Sequence, residues 1–242
     1  MTGLTLPEEL LLLALDPVTG RRHCSRSYLQ YGLAGAALAE LELQGRVAES
    51  RGKVTVVNPL PPQNPLSAQI LASLPAPGTS RFGDGVRARP WVRRAGRHVE
   101  ELCLHHLVGR GALRVETHRF LGIFPYRRYP AAAEDFSTPA RGRYAQSVWA
   151  GFPDRRSRLL AAFTAAIGIA KVLHPRFESW RGRGALRVLV REQWAPYAVH
   201  RAIQQDKKSS SSSVSFGGDG GGGGDGDGGG GDGGGGDGGG GD

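Results

Sequence analysis

The chain has 242 residues, 31 Lys and Arg against 22 Asp and Glu for a net charge of +9, and two cysteines. Two cysteines build no disulfide framework, so the chain reads as an intracellular protein held by an apolar core, and the basic excess favours a polyanion, nucleic acid or an anionic lipid surface. No stretch approaches the ~20 apolar residues needed to cross a bilayer, so membrane contact is expected to be peripheral.

Thr5 starts a first helix, with Glu8 three residues on and Pro7 in the first turn. Residues 10–15 are apolar on every side, which marks a buried helix. Six residues after Pro7-Glu8-Glu9, without a basic flank, do not make a signal peptide. A second helix runs from about Ser25 or Ser27 to Gln44, with Leu29, Leu33, Ala37 and Leu41 on one face. Gly32, Gly35, Ala36 and Ala39 allow another helix to approach closely, and Gly45 stops it. Strands at 46–49 and 53–57 follow, then a stiff Pro-rich connector and a helix at 64–74.

The next helix is expected at 91–108, broken or kinked near Gly96, and Gly109 with Gly111 end it. Strands at 112–116 and 119–123 are read as a hairpin. Helices follow at 137–150, 155–173 and 186–203, the last with Trp194, Ala198, Val199 and Ala202 facing inward. The whole is a mainly α protein: one helical domain over residues 1–205 with two short β-hairpins in winged-helix-like order, one of them protruding. Residues 206–242 form a Ser/Gly/Asp-rich tail expected to be disordered, since Val214 and Phe216 are its only large apolar side chains. Its GGGGD rhythm lacks the recurring apolar position that stacks calcium-binding repeats.

Chemistry is sparse. The heptapeptide GRGALRV occurs at 109–115 and 182–188, but neither copy has phosphate-loop spacing, and the two fall at the end and the start of helices. No nucleophile elbow, zinc-protease motif or dinucleotide fingerprint is present. Cys103 with His105, His106 and His118 matches no standard zinc spacing, and Cys24 beside His23 is poorly placed for a nucleophile and its base. The pairs Glu8/Glu9, Glu100/Glu101 and Glu134/Asp135 read as solvated helix turns. No catalytic residue, metal or cofactor is expected.

Charge is more informative. Six of the 22 acids and no bases lie beyond Phe216, leaving 31 bases against 16 acids before it. Residues 81–128 hold eleven Arg against four acids, and 141–191 hold eleven bases against two. Phe120, Leu121, Ile123 and Phe124 stand beside Tyr126, Arg127, Arg128 and Tyr129. On a hairpin that is an apolar tip flanked by rings and guanidinium groups, suited to a membrane interface, to the protein's own core or to a sister subunit. Nucleic acid is the competing partner, but the helices before the two hairpins carry Leu, Ala and Glu rather than a row of base-reading side chains. A protein-binding scaffold with incidental charge is the third reading.

LTLPEELLLLAL (4–15), GLAGAALAELELQGRV (32–47) and DRRSRLLAAF (154–163), with WAPYAVHRAI (194–203), occur in the order and spacing of the Golgi phosphoprotein 3 family. The chain resembles that family, its bacterial members most, over residues 4–203. The resemblance implies a mainly helical domain with a protruding hairpin used for membrane contact and self-association, and no catalysis. It further implies binding of phosphatidylinositol 4-phosphate and of the cytosolic tails of client proteins, as eukaryotic members do. The family's headgroup-binding Trp falls at Ser25, and its arginines fall at Ala34, Arg97 and Glu100. Arg93, Arg94, Arg21, Arg22 and Arg26 lie close in sequence and supply charge. Anionic headgroup binding with relaxed specificity is the expectation.

Overall fold

The computed structural model describes residues 3–78, 85–120 and 123–212. Its first helix, α1 (Leu6–Ala14), begins as expected: the Thr5 amide and hydroxyl both donate to Glu8 Oε2 at 2.7 Å. Every residue of α1 is buried. It packs on α2 (Arg26–Leu43), the centre of the molecule, in which all residues from Gly32 to Leu41 are buried. A helix apolar on all sides must be surrounded, and the small residues of α2 decide how closely. Ser25 caps it, accepting from Tyr28 N at 3.4 Å.

Strands β1 (Val47–Ser50) and β2 (Lys53–Val56) pair antiparallel, Val47 opposite Val56. The sequence reading missed a third strand: β3 (Val86–Arg87) adds to β2, Val86 opposite Val54. Between them α3 (Pro65–Ala72) is capped by Asn64, which accepts from Ser67 N at 3.2 Å.

α4 (Ala88–Gly109) starts earlier than expected and runs through Gly96 unbroken. Gly96 serves a close contact there. A Cβ there would lie 3.0 Å from the Gln30 backbone, so α2 and α4 cross with almost no side chain between them. Gly111, at φ +69°, ends α4 as a left-handed cap. The second hairpin lies further along than expected: β4 (Glu116–Phe120) pairs with β5 (Phe124–Arg128), Phe120 opposite Phe124. Ala112 and Leu113, read as strand, are buried anchors instead. Ala112 N donates to Leu107 O at 2.9 Å, and Leu113 bridges Ala131.

α5 (Ser137–Trp149) follows. The helix expected at 155–173 is two helices, α6 (Arg155–Ala166) and α7 (Ala170–Leu173), parted at Gly168 with φ +85°. A 3-10 turn (Pro175–Glu178) leads to α8 (Trp180–Glu192) and α9 (Trp194–Ser212), where one helix over 186–203 was expected. Ser179 caps α8, accepting from Gly182 N at 3.1 Å, and the chain is extended at Gln193. Pro196 stands in the first turn of α9, the one part of a helix that tolerates a missing amide. The fold is mainly helical with two small antiparallel sheets; residues 206–212 of the expected tail are helical, the end of α9, and 213–242 lie outside the described residues.

The two GRGALRV copies need their glycines differently. At Gly109, the last residue of α4, an added Cβ meets nothing within 4 Å, whereas at Gly182 it would collide with the Arg176 carbonyl oxygen. Gly109→Ala is therefore expected to raise stability by about 0.5–1 kcal/mol through helix propensity. Gly182→Ala is expected to lower it by about 1–3 kcal/mol through overpacking. Thermal melts of both variants check the contrast, and equal shifts would contradict it.

Candidate functional site

The turn at 16–20 is held by Asp16 Oδ1, which accepts from Thr19 N at 2.7 Å and from Val18 N at 3.2 Å. It seats the chain against the root of the β4–β5 hairpin. An added Cβ on Gly20 would lie 2.5 Å from the backbone nitrogens of Tyr129 and Pro130, and Ala131 N donates to Pro17 O at 2.8 Å. Arg21 and Arg22 follow at once, so they stand beside the hairpin's root.

Arg22 and Arg26 both reach Glu100 on α4, at 3.1 and 3.2 Å, and Gln30 Nε2 donates to the same carboxylate at 2.8 Å. Glu100 is only 1% exposed. A carboxylate so buried requires donors, and these three come from α2 and the turn before it. Glu100 is thus neither a solvated helix turn nor a surface charge facing solvent, as its sequence suggested. It is the hub that orients two of the expected headgroup arginines, and its charge offsets part of theirs. Glu8 and Glu9, also read as solvated, are buried too: Glu8 meets His106 Nδ1 at 2.5 Å, and Glu9 meets Arg143 at 3.2 Å.

The remaining arginines do not share that carboxylate. Arg97 is exposed and pairs with Glu101, one turn on, at 3.0 Å. Arg93 pairs with Asp206 of α9 at 3.0 Å, and Asp206 also accepts from Tyr31 Oη at 2.7 Å. Arg94 and Arg21 are exposed and carry no ion pair among the described residues. Ala34 is fully buried, so no surface site on this chain includes it.

On the hairpin, Ile123 is 74% exposed and Arg127 is exposed. Tyr126 lies between His118, stacked at 5.6 Å, and the Arg128 guanidinium, 5.2 Å from its ring centre. Leu121 lies outside the described residues, as do the side chains of Phe120 and Phe124. The described strand residues turn mostly to solvent, and their extensive contacts are with one another.

Burial pushes the Cys24 thiol up to about 11 against the opposing pull of Arg22. Burial, then Glu8 and Glu100, push Cys103 well above the usual thiol range. Both thiols are held protonated and unreactive at neutral pH. Among the described residues no three His, Cys, Asp or Glu side chains gather as a metal site requires, and no helix is long and apolar enough to cross a membrane.

Burial, then Arg141, hold His23 below the ordinary histidine range, with Asp16 opposing. Burial, then Lys207, Arg191 and Arg201, do the same to His200. The unfolded chain therefore takes up more protons than the folded one as pH falls through about 6.5, and stability falls with it. The melting temperature is expected to be lower at pH 5.5 than at pH 7.5. Arg141 Nη2 lies 3.4 Å from His23 Nε2, and His23→Gln, which keeps an acceptor there, is expected to shrink that difference. A variant with an unchanged pH dependence would contradict the assignment.

A family model for Golgi phosphoprotein 3 (GPP34) matches residues 6–205. A search of curated proteins finds no match.

Proposed function

This chain belongs to the Golgi phosphoprotein 3 family, and from that premise we propose that it is a non-enzymatic peripheral membrane adaptor that binds anionic lipid headgroups. One observation carries the reading: the turn bearing Arg21 and Arg22 is seated on the root of a solvent-turned hairpin that presents Ile123, Tyr126 and Arg127. An apolar tip with rings and guanidinium groups behind it fits the bilayer interface, where each basic residue near an anionic surface contributes about 1 kcal/mol.

The ion pairs argue for relaxed headgroup choice. Arg22 and Arg26 already have a carboxylate in Glu100, and Arg97 has one in Glu101. Arg21, Arg94 and Arg127, without such partners among the described residues, supply a diffuse field instead of a fitted phosphate pocket. Self-association through the hairpin and capture of client proteins belong to the same reading.

Co-sedimentation with phosphatidylcholine vesicles carrying increasing phosphatidylserine tests it. Binding is expected to rise with anionic lipid and fall with salt. The triple variant Arg21→Glu, Arg94→Glu, Arg127→Glu is expected to lose at least tenfold in affinity, since three basic residues contribute about 3 kcal/mol. Absence of binding to vesicles rich in phosphatidylserine at low salt would sink the reading.

A further inference from the structure

A second concentration of positive charge, without ion pairs among the described residues, lies elsewhere. Residues 141–191 hold eleven bases against two acids, and four of those bases meet Arg201 at one cleft. Its volume is about 830 Å³, and it lies among α7, α8 and α9 beside the end of α6. Lys171, Arg183, Arg187, Arg191 and Arg201 line it, and no Asp or Glu does. None of the five is in an ion pair among the described residues. Among the described residues only Arg183 of the five is anchored, donating to the backbone carbonyl of Glu178. The contrast with Arg22, Arg26, Arg93 and Arg97, each matched to a carboxylate, is direct.

The cleft is not only cationic. Phe177, Leu186 and Val190 are buried beneath it, and half-exposed Tyr197 forms part of its wall. α8 explains the arrangement. In WRGRGALRVLVRE, Leu186 and Val190 fall one turn apart and face inward, while Arg183, Arg187 and Arg191 recur every four residues along the cleft. That spacing places three guanidinium groups in a row on one helix flank. Like charges in a row repel and lower stability, and an anion between them relieves this. A purely polar anion would leave the apolar floor unused. A sugar-phosphate backbone has no alkyl chain to lay on that floor, whereas an amphiphile uses both the charge and the floor.

We propose that this cleft binds a single-chain anionic amphiphile, its acyl chain on Phe177, Leu186, Val190 and Tyr197 and its phosphate or carboxylate head among Lys171, Arg187, Arg191 and Arg201. The volume is in the range of small-molecule sites, ~300–1,000 Å³. The site is independent of the headgroup face: one takes a molecule out of the bilayer or from solution, the other meets a membrane plane.

Isothermal titration of the full chain with monomeric dodecyl phosphate, dodecanoate and inorganic phosphate tests it. Dodecyl phosphate is expected to bind one to one, at least tenfold more tightly than inorganic phosphate, and dodecanoate to bind with an affinity between the two. Arg187→Glu with Arg191→Glu, both exposed and unpaired among the described residues, is expected to weaken dodecyl phosphate at least tenfold, and Arg89→Glu, at an exposed position in the first turn of α4 that lines neither site, to leave it unchanged. Circular dichroism confirms that the double variant is folded. Tyr197→Ser, at a half-exposed position, is expected to weaken dodecyl phosphate but not inorganic phosphate. No saturable binding, equal affinity for inorganic phosphate, or an Arg187/Arg191 variant that binds like the parent would overturn the proposal. Vesicle binding is a separate measurement and does not enter this outcome.

Discussion

Arg156→Met is expected to lower the stability of this protein by about 2–4 kcal/mol and its melting temperature by about 5–15 °C. The Arg156 guanidinium joins three parts of the chain. Nη1 donates to Glu40 Oε2 of α2 at 2.9 Å, and Nη2 donates to Leu4 O at 2.7 Å and to Glu9 Oε2 of α1 at 3.3 Å. Methionine keeps much of the aliphatic stem but leaves two nearly buried carboxylates short of a cation. Among the described residues Glu40 then retains only Leu6 N at 2.7 Å and Gln44 Nε2 at 2.8 Å, and Glu9 retains Arg143. Breaking a buried pair this way costs about 3–5 kcal/mol, and the figure is reduced here because the Arg156 side chain is 35% exposed. Arg156→Lys should recover only part, since one ammonium cannot span three acceptors with a planar fork. Adding Glu40→Gln to Arg156→Met should recover more, because it removes the stranded charge. A melt of Arg156→Met within a degree of the parent would show that the network is dispensable.

That network also shows what the recognisable sequence blocks encode. Glu8 and Glu9 come from LTLPEELLLLAL, Glu40 and Glu42 from GLAGAALAELELQGRV, and Arg155 and Arg156 from DRRSRLLAAF; Arg155 meets Glu42 at 2.8 Å. The blocks that carry the family resemblance are the ones that bolt α1, α2 and α6 together. They specify a fold, and the family's headgroup positions lie mostly outside them. This is why family and helical class were legible in the sequence while the binding face was not.

Local chemistry explains the same division. Thr5 with Glu8, Ser25, and Asn64 with Pro65 are caps that act within a few residues, and the helices they begin were readable. The β4–β5 register was not, because the Leu113-Arg114-Val115-Glu116 alternation reads as a strand, yet Ala112 and Leu113 are consumed in anchoring the hairpin to α4 and Ala131. The break between α8 and α9 had a signal in Pro196, but continuous apolar periodicity across 186–203 masked it. Burial of Glu100 depends on Arg22 and Arg26, more than seventy residues away, and no local pattern announces such a contact. The cleft at α8 was visible only as an excess of bases in 141–191, without the shape that gathers four of them with Arg201.

Gly35→Leu is expected to abolish the folded state, the largest effect of any single change considered for this chain. Gly35 lies where α2 meets α6 and α9. A Cβ placed on it would collide with Val199 Cγ2 and come within 2.9 Å of Phe163 Cε1, with Ala195 O at 3.6 Å. Val199 and Phe163 are both fully buried, so neither can swing toward solvent to make room. Gly35→Ala sets about 1–3 kcal/mol of overpacking against about 1 kcal/mol gained in helix propensity, for a net loss of about 0–2 kcal/mol. Leucine drives three further carbons into the same space, and the helices must separate. A stability of about 5–15 kcal/mol does not survive loss of the central crossing. Val199→Ala removes the atom that blocks Gly35→Ala, so the double variant should melt higher than the sum of the single changes predicts. Additive behaviour, or a Gly35→Leu protein that melts cooperatively near the parent temperature, would mean that α2 does not sit against α6 and α9 at this distance.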